Sequence, residues 1–197
     1  MNNPIERHPF PPFLPEGARV LMLGSFPPPR ARWSMAFYYP NFQNDMWRIC
    51  GLLFFGDPSH FVDGVYKRFD RERIAAFCAG RGIALYDTAT AVRRLKANAA
   101  DQFLEVVEPT DVAALLRRMP ACRTVVVTGE KAARTVLLAL GKQAQCYPGI
   151  GAYIAFDFEG RPMQLWRMPS SSRAYPLALE KKAAHYRDVF AAAGIIA

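Results

Sequence analysis

The sequence predicts an α/β fold, a three-layer α/β/α arrangement around a mostly parallel central sheet of about four or five strands. Three observations carry this. Apolar runs at 18–23, 83–86 and 123–128 show no polar alternation, as strands buried on both faces do. Helical runs that open on capping residues lie between them. The step from 123–128 through Gly129 into a helix has the order of a βα unit. Ligands of such sheets sit at the carboxyl ends of the strands. The polar and aromatic clusters at 24–44, 87–88 and 168–175 follow strands and are expected to converge on one cleft.

Residues 1–17 read as an extended, proline-rich arm, because prolines at 4, 9, 11, 12 and 15 preclude a helix. Residues 18–197 read as a single domain. Ala18 to Leu23 is the first core strand, and Gly24-Ser25 permits a sharp turn where backbone can approach a ligand. Pro27, Pro28 and Pro29 stiffen the loop that follows. Asn44-Asp45 can cap a helix running Met46 to Phe54, stopped at Gly56-Asp57-Pro58. Asp70 caps a second helix, Arg71 to Ala79, which Gly80 and Gly82 end. Ile83 to Tyr86 is the next strand, followed by Asp87-Thr88.

Residues 89–107 fit neither period well. Val92 to Lys96 form a basic cluster, and Asn98-Ala99-Ala100-Asp101 reads as loop. Thr110-Asp111 caps Val112 to Arg118. Arg123 to Thr128 is the clearest parallel-type strand, and a helix follows from Glu130 to Leu140. Ala152 to Phe158 and Met163 to Arg167 flank Glu159-Gly160-Arg161-Pro162 as a hairpin or bent connection. The last helix runs Leu177 to Ala193.

The chain has 197 residues, 51% of them hydrophobic, enough for one α/β domain with a real core. No apolar run reaches membrane-spanning length, and the N-terminal stretch has no apolar signal core, so a cytoplasmic monomer with no membrane partner is expected. The net charge of +8 favours a polyanionic partner. Cys50, Cys78, Cys122 and Cys146 are far apart and include no close pair, which argues against zinc or an iron–sulfur cluster and for isolated buried thiols. No metal or other cofactor is expected. His8, His60 and His185 fall in no catalytic or metal-ligand spacing, and none is assigned a role.

The loop from Gly24 to Trp47 concentrates chemistry. Arg30, Arg32, Trp33, Phe37, Tyr38 and Tyr39 suit a planar, anionic ligand such as a nucleotide. Both a G-x-G-x-x-G and a P-loop pattern are missing, which counts against an enzyme of free nucleotides.

Taken in order, Gly24-Ser25-Phe26-Pro27, Phe37-Tyr38-Tyr39, Asn44-Asp45-Met46-Trp47 and Met168-Pro169-Ser170-Ser171-Ser172-Arg173-Ala174 resemble the uracil-DNA glycosylase superfamily. The pattern is similar to the mismatch-specific uracil/thymine glycosylases and more so to the hypoxanthine-DNA glycosylases. The resemblance implies a DNA-repair glycosylase of base excision repair that flips a deaminated base, uracil or hypoxanthine, out of DNA and hydrolyses its N-glycosidic bond. Its partner is then DNA containing a damaged or mismatched base. A non-catalytic, damage-sensing relative on the same fold is the alternative.

The resemblance also implies roles. Phe26 stands where the mismatch-specific enzymes carry their asparagine, so Asn44, in its N-x-x-W context, takes the catalytic position. Asn41-Phe42-Gln43 replaces the usual histidine–proline pair. Tyr39 aligns with the aromatic that stacks on the flipped base, and Phe37 is a second candidate. Ser170 to Tyr175 align with the loop that enters the minor groove.

Elementary chemistry adds the rest. Asn44 is a poor base, but it can orient water through its carbonyl and amide. Backbone N–H groups near Gly24, Ser25 and Phe26 can face a base oxygen. Asp87 is the spare carboxylate that can activate water or bind a base N–H, or else support the 25–44 loop. Arg30, Arg32, Ser170, Ser171, Ser172, Arg173 and Tyr175 are candidate DNA contacts, with Arg93, Arg94 and Lys96 as further backbone cations. Asn44 is equally an ordinary helix cap, and the three serines equally a turn.

Overall fold

The computed structural model describes residues 3–96 and 103–196. The loop expected at Asn98 to Asp101 lies outside the described residues. In chain order the elements begin with β1 (Ile5–Arg7), β2 (Val20–Gly24) and α1 (Met46–Phe55). A small hairpin, β3 (Val62–Asp63) and β4 (Arg68–Phe69), precedes α2 (Arg71–Arg81). Then come β5 (Ile83–Asp87), β6 (Ala89–Arg94), β7 (Leu104–Pro109), α3 (Val112–Arg117), β8 (Thr124–Thr128) and α4 (Glu130–Ala139). The hairpin β9 (Ala152–Phe158) and β10 (Arg161–Met168) leads to α5 (Leu179–Ala192).

The central sheet has five strands in the order β5-β2-β8-β10-β9, parallel except for the β10–β9 edge. This is the mostly parallel sheet that the unbroken apolar runs predict. Val20, Leu21, Leu23 and Val125 to Val127 are wholly buried. Such residues have no polar face to give to water, so the strands need cover on both sides. Helices supply it. Phe54 of α1 meets Phe77 of α2 and Phe190 of α5, while α3 packs on α4 and α4 on β8.

The helix ends follow local chemistry. Asp70 and Asp111 each accept a backbone N–H three residues on, at Arg73 and Ala114, satisfying donors that the first helical turn leaves open. Gly56 ends α1 in the left-handed conformation that glycine adopts without steric cost. Gly82 does the same for α2, whereas Gly80 lies inside that helix.

The stretch 89–107, irregular in sequence, holds a second sheet. There β6 pairs antiparallel with β7 on one side and with β1 of the N-terminal arm on the other. Arg94 therefore does not belong to a solvated basic cluster. Its guanidinium is buried, bonded twice to Glu6 of the arm (3.0 and 3.1 Å) and once to the Pro27 carbonyl (3.1 Å). Arg93 likewise binds Glu105 and the Asn3 carbonyl, and the Lys96 ammonium lies over the Phe103 ring. These side chains join the arm, the proline loop and the second sheet.

Cys50, Cys78 and Cys122 are buried, and Cys146 is exposed, contrary to the expectation of four buried thiols. Burial pushes the Cys50 thiol up to about 12 and raises Cys78 and Cys122, so these three are packing groups rather than nucleophiles. Among the described residues, no helix is long and apolar enough to cross a membrane, and no group of three His, Cys, Asp or Glu side chains could hold a metal ion.

Candidate active site

Parallel register brings the strand ends level. Gly24 pairs with Asp87, and Thr128 pairs with Met168. A cleft with a cavity volume of about 140 Å³ opens at these carboxyl ends. Strand ends supply Gly24, Asp87 and Thr128 to its lining, the loop supplies Ser25 to Pro28, Tyr38 to Asn41, Gln43 and Asn44, and Ser170 to Ser172 close it. The three clusters expected to converge do meet here.

Gly24 is present for want of room. A Cβ at this position would lie 2.3 Å from Asp87 Oδ1, while its backbone is not left-handed. The missing side chain is what lets the carboxylate rest against the strand end. Thr88 and Thr110 hold the backbone around Asp87: Thr88 N–H donates to the Gly24 carbonyl (2.8 Å) and the Thr110 hydroxyl to the Asp87 carbonyl (2.7 Å).

The loop reaches the cleft through two tyrosines with different tasks. Tyr38 is buried, donates its hydroxyl to the Pro11 carbonyl (2.7 Å), and accepts from the Trp47 indole through its own carbonyl (3.0 Å). Tyr39 adopts φ 49°, unusual for a bulky residue, which turns its ring edge-on to Trp47 and into the cleft wall. Its hydroxyl is buried beside Thr128 without closing a hydrogen bond. Burial first and the Asp87 charge second push both phenols far above their ordinary range, so they remain protonated.

Asn44 sits just before α1. Its Oδ1 accepts the Met46 N–H (2.9 Å), and Asp45 is the cap position proper, with no side-chain cap bond of its own. That bond assigns the amide orientation. The Nδ2 group makes no hydrogen bond among the described residues, and Asn44 lines the cleft. Asp45 faces inward instead. Its carboxylate accepts from Lys182 Nζ (2.9 Å) and Arg173 Nε (3.2 Å), and the Lys182 side chain is only 1% exposed. Lys182 also donates to the Ser172 carbonyl (2.8 Å).

Backbone bonds complete this seam. Asp45 N–H donates to the Ser171 carbonyl, Arg173 N–H to the Gln43 carbonyl, and Asn44 and Ser172 form an isolated antiparallel bridge. Two cleft walls more than a hundred residues apart in sequence are therefore joined edge to edge.

The arm supplies a residue that sequence reasoning left without a role. His8 Nε2 lies 2.9 Å from Asp87 Oδ2, with the imidazole 2% exposed. Tyr38 stacks on the ring, and Phe26 and Tyr86 pack against it. Nδ1 faces both the carbonyl (2.8 Å) and the N–H (3.2 Å) of Phe10. No local spacing pointed to this pair, because the two residues are 79 apart and meet only when β1 joins β6. The one available hint was an arm carrying His8, Phe10 and Phe13, too aromatic to be left in water.

Of the residues singled out in the sequence, Gly24, Ser25, Phe26, Tyr39, Asn44, Asp87, Ser170, Ser171 and Ser172 line the cleft. Phe37 does not. It is buried in the core edge-on to Phe13 and Tyr38, so it offers no face to a ligand. Ser171 is also buried, and its carbonyl is engaged by Asp45. Arg30 and Arg32 are exposed on one turn of 3-10 helix above the prolines. The exposed Arg173 is tethered to Asp45, and Tyr175 is half-buried outside the lining. Besides His8, the sequence reading missed Thr128 and Lys182.

Chemically, the cleft offers a carboxylate fixed from behind, an unoccupied amide donor at Asn44 and a tyrosine wall, in a space the size of one small ring. No family model matches the chain, and no curated protein does. Among solved structures, the chain is similar to a solution structure from Methanosarcina acetivorans described as a "putative Uracil DNA glycosylase". The two are 24% identical, with 96% of this chain and 99% of that chain covered and a TM-score of 0.63. At that identity the likeness establishes the fold: a central, mostly parallel five-stranded sheet flanked by helices, arranged as in that protein.

Proposed function

We propose that the chain is a DNA glycosylase that hydrolyses the N-glycosidic bond of a flipped-out deaminated base. The observation that carries the reading is the meeting of Asn44, Asp87, Tyr39 and the Ser170–Ser172 segment in one cleft at the strand ends. The neighbour's description and the basic net charge of +8 support it.

In this reading the base leaves the stack, at a cost of a few kcal/mol, and enters the cleft. The Tyr39 ring returns part of that as stacking, about 1–3 kcal/mol. The 170–175 segment faces the vacated position, and Arg30, Arg32 and Arg173 contact phosphates. As the C1′–N bond breaks, its electron pair leaves with the base, where the Ser25 and Phe26 backbone and Asn44 Nδ2 offset the charge. Water bonds to C1′ and gives its proton to Asp87.

The test uses labelled duplex and single-stranded DNA carrying one uracil or one hypoxanthine, incubated with folded protein and then alkali. Cleavage at the uracil or at the hypoxanthine is expected. Intact strands on all four substrates would refute the reading. One observation favours a second reading, a damage sensor without chemistry: Asn44 Oδ1 already serves the Met46 N–H. Selective retention of uracil-containing DNA without product would establish it.

A further inference from the structure

We propose that His8, carried in by the N-terminal arm, is a positioning residue that aims the Asp87 carboxylate, so that the arm is part of the active site. The inference rests on the glycosylase reading for its chemistry and on the pairing for its geometry. His8 Nε2 donates to Asp87 Oδ2 at 2.9 Å, with both side chains nearly sealed from water. A nearly sealed carboxylate and imidazole need partners, and each supplies the other's.

The bond has a directional consequence. It ties down Oδ2, leaving Oδ1 against Gly24 on the cleft wall. Phe10 N–H donates to Nδ1 (3.2 Å), which places the ring hydrogen on Nε2, and Nε2 donates forward to Asp87. Tyr38, Phe26 and Tyr86 fix the ring plane. The arm reaches this position because Ile5 to Arg7 pair with β6 and Arg94 grips Glu6.

In the hydrolytic step, a water O–H proton passes to Asp87 Oδ1 as the water oxygen bonds to C1′ and the C1′–N pair departs with the base. The base anion later takes its proton from solvent. His8 neither gains nor loses a proton. It keeps Oδ1 in line.

The experiment compares wild type with His8→Phe, which keeps the aromatic packing and removes the donor, and His8→Gln, whose Nε2 reaches about as far as the imidazole's. Single-turnover excision from uracil DNA is read beside DNA affinity and melting temperature. Expected are a loss of about 10²-fold in rate for His8→Phe, as for a reacting group misplaced by about 1 Å, with affinity unchanged, and recovery to within about threefold for His8→Gln. A wild-type rate in His8→Phe would overturn the inference, as would an equal loss in both variants that tracks a lowered melting temperature. Nitrogen-15 spectra of the histidines give a readout that does not depend on activity. An Nε2–H signal of His8 protected from solvent in wild type and lost in Asp87→Ala supports the pairing, and its absence in wild type removes it. A wild type inert on every lesion would sink the glycosylase reading and the catalytic role of the pairing together, with the spectra still deciding the contact itself.

Discussion

Gly24→Ala probes the site with one methyl group. Its Cβ would meet Asp87 Oδ1 at 2.3 Å, where ordinary contacts begin at 3.4 Å, so the carboxylate must retreat by about 1 Å. Tyr39 Cε1, at 4.0 Å, need not move. The Gly24 backbone is not left-handed, so alanine adds no conformational strain. The cost falls on the carboxylate, which is also bound to His8 at 2.9 Å and must stretch or turn about that bond. Overpacking of this kind costs about 1–3 kcal/mol of stability. A 1 Å misplacement of a reacting group costs about 10²-fold in rate. Excess enzyme over uracil DNA reads the chemical step, and a thermal melt reads the fold. Excision should fall about 10²-fold with the fold intact, and fall no further when Gly24→Ala is added to Asp87→Ala. A rate within twofold of wild type would refute the reasoning, and so would an undiminished effect in the Asp87→Ala background, because two groups in contact should not act additively.

Other perturbations separate chemistry from support. Asn44→Ala removes the acceptor for Met46 N–H, so a melt should show a loss of about 1 kcal/mol that Asn44→Asp restores. Its excision should fall at least about 10²-fold, and an unchanged rate would leave the chemistry to Asp87 alone. Lys182→Met strips Asp45 of its buried ammonium while Arg173 remains, at a cost of about 3 kcal/mol. At about 2–4 °C per kcal/mol, calorimetry should find melting roughly 10 °C lower, and a shift under about 2 °C would show that Arg173 suffices. Burial holds the Tyr38 and Tyr186 phenols above the value of 10.0 they have in an unfolded chain. The unfolded state therefore releases these protons first, so their contribution is complete below pH 10 and drains away above it. Melting temperature should decline from about pH 10 upward, and ultraviolet titration should leave these two tyrosines protonated until unfolding. Reversible ionisation of all eight tyrosines near pH 10 in the folded protein would contradict this.

The central sheet was legible because β2, β5 and β8 bury both faces and keep their polar residues, Asp87, Thr124 and Thr128, at the strand ends. The second sheet was not, because Arg93 and Arg94 read as surface charge when no partner was in view. Their partners, Glu6 and Glu105, sit on strands that pair with β6 only in three dimensions. The same reason hid His8. A burial pattern is local in the chain, whereas a buried ion pair is declared by its second member. Phe37 shows the converse: beside two cleft tyrosines its sequence neighbourhood looks functional, yet the turn at Tyr39 sends it to the core. Asn44 and Asp87 were visible because strand ends and helix starts are where such a fold leaves polar groups facing a ligand.

The bridge that pairs Asn44 with Ser172 is made of backbone atoms. Their side chains add only local bonds to that bridge, Asn44 Oδ1 accepting Met46 N–H and Ser172 Oγ accepting Ala174 N–H. Position 44 can thus change its chemistry while the chain around it stays where it is, and position 172 likewise. Asp45 and Lys182 have no such liberty, since loss of Asp45 leaves the sealed Lys182 ammonium without its carboxylate, and loss of Lys182 leaves Asp45 only Arg173. Homologues that prefer a different lesion should therefore differ at 44 and 172 one residue at a time, and exchange 45 and 182 only together.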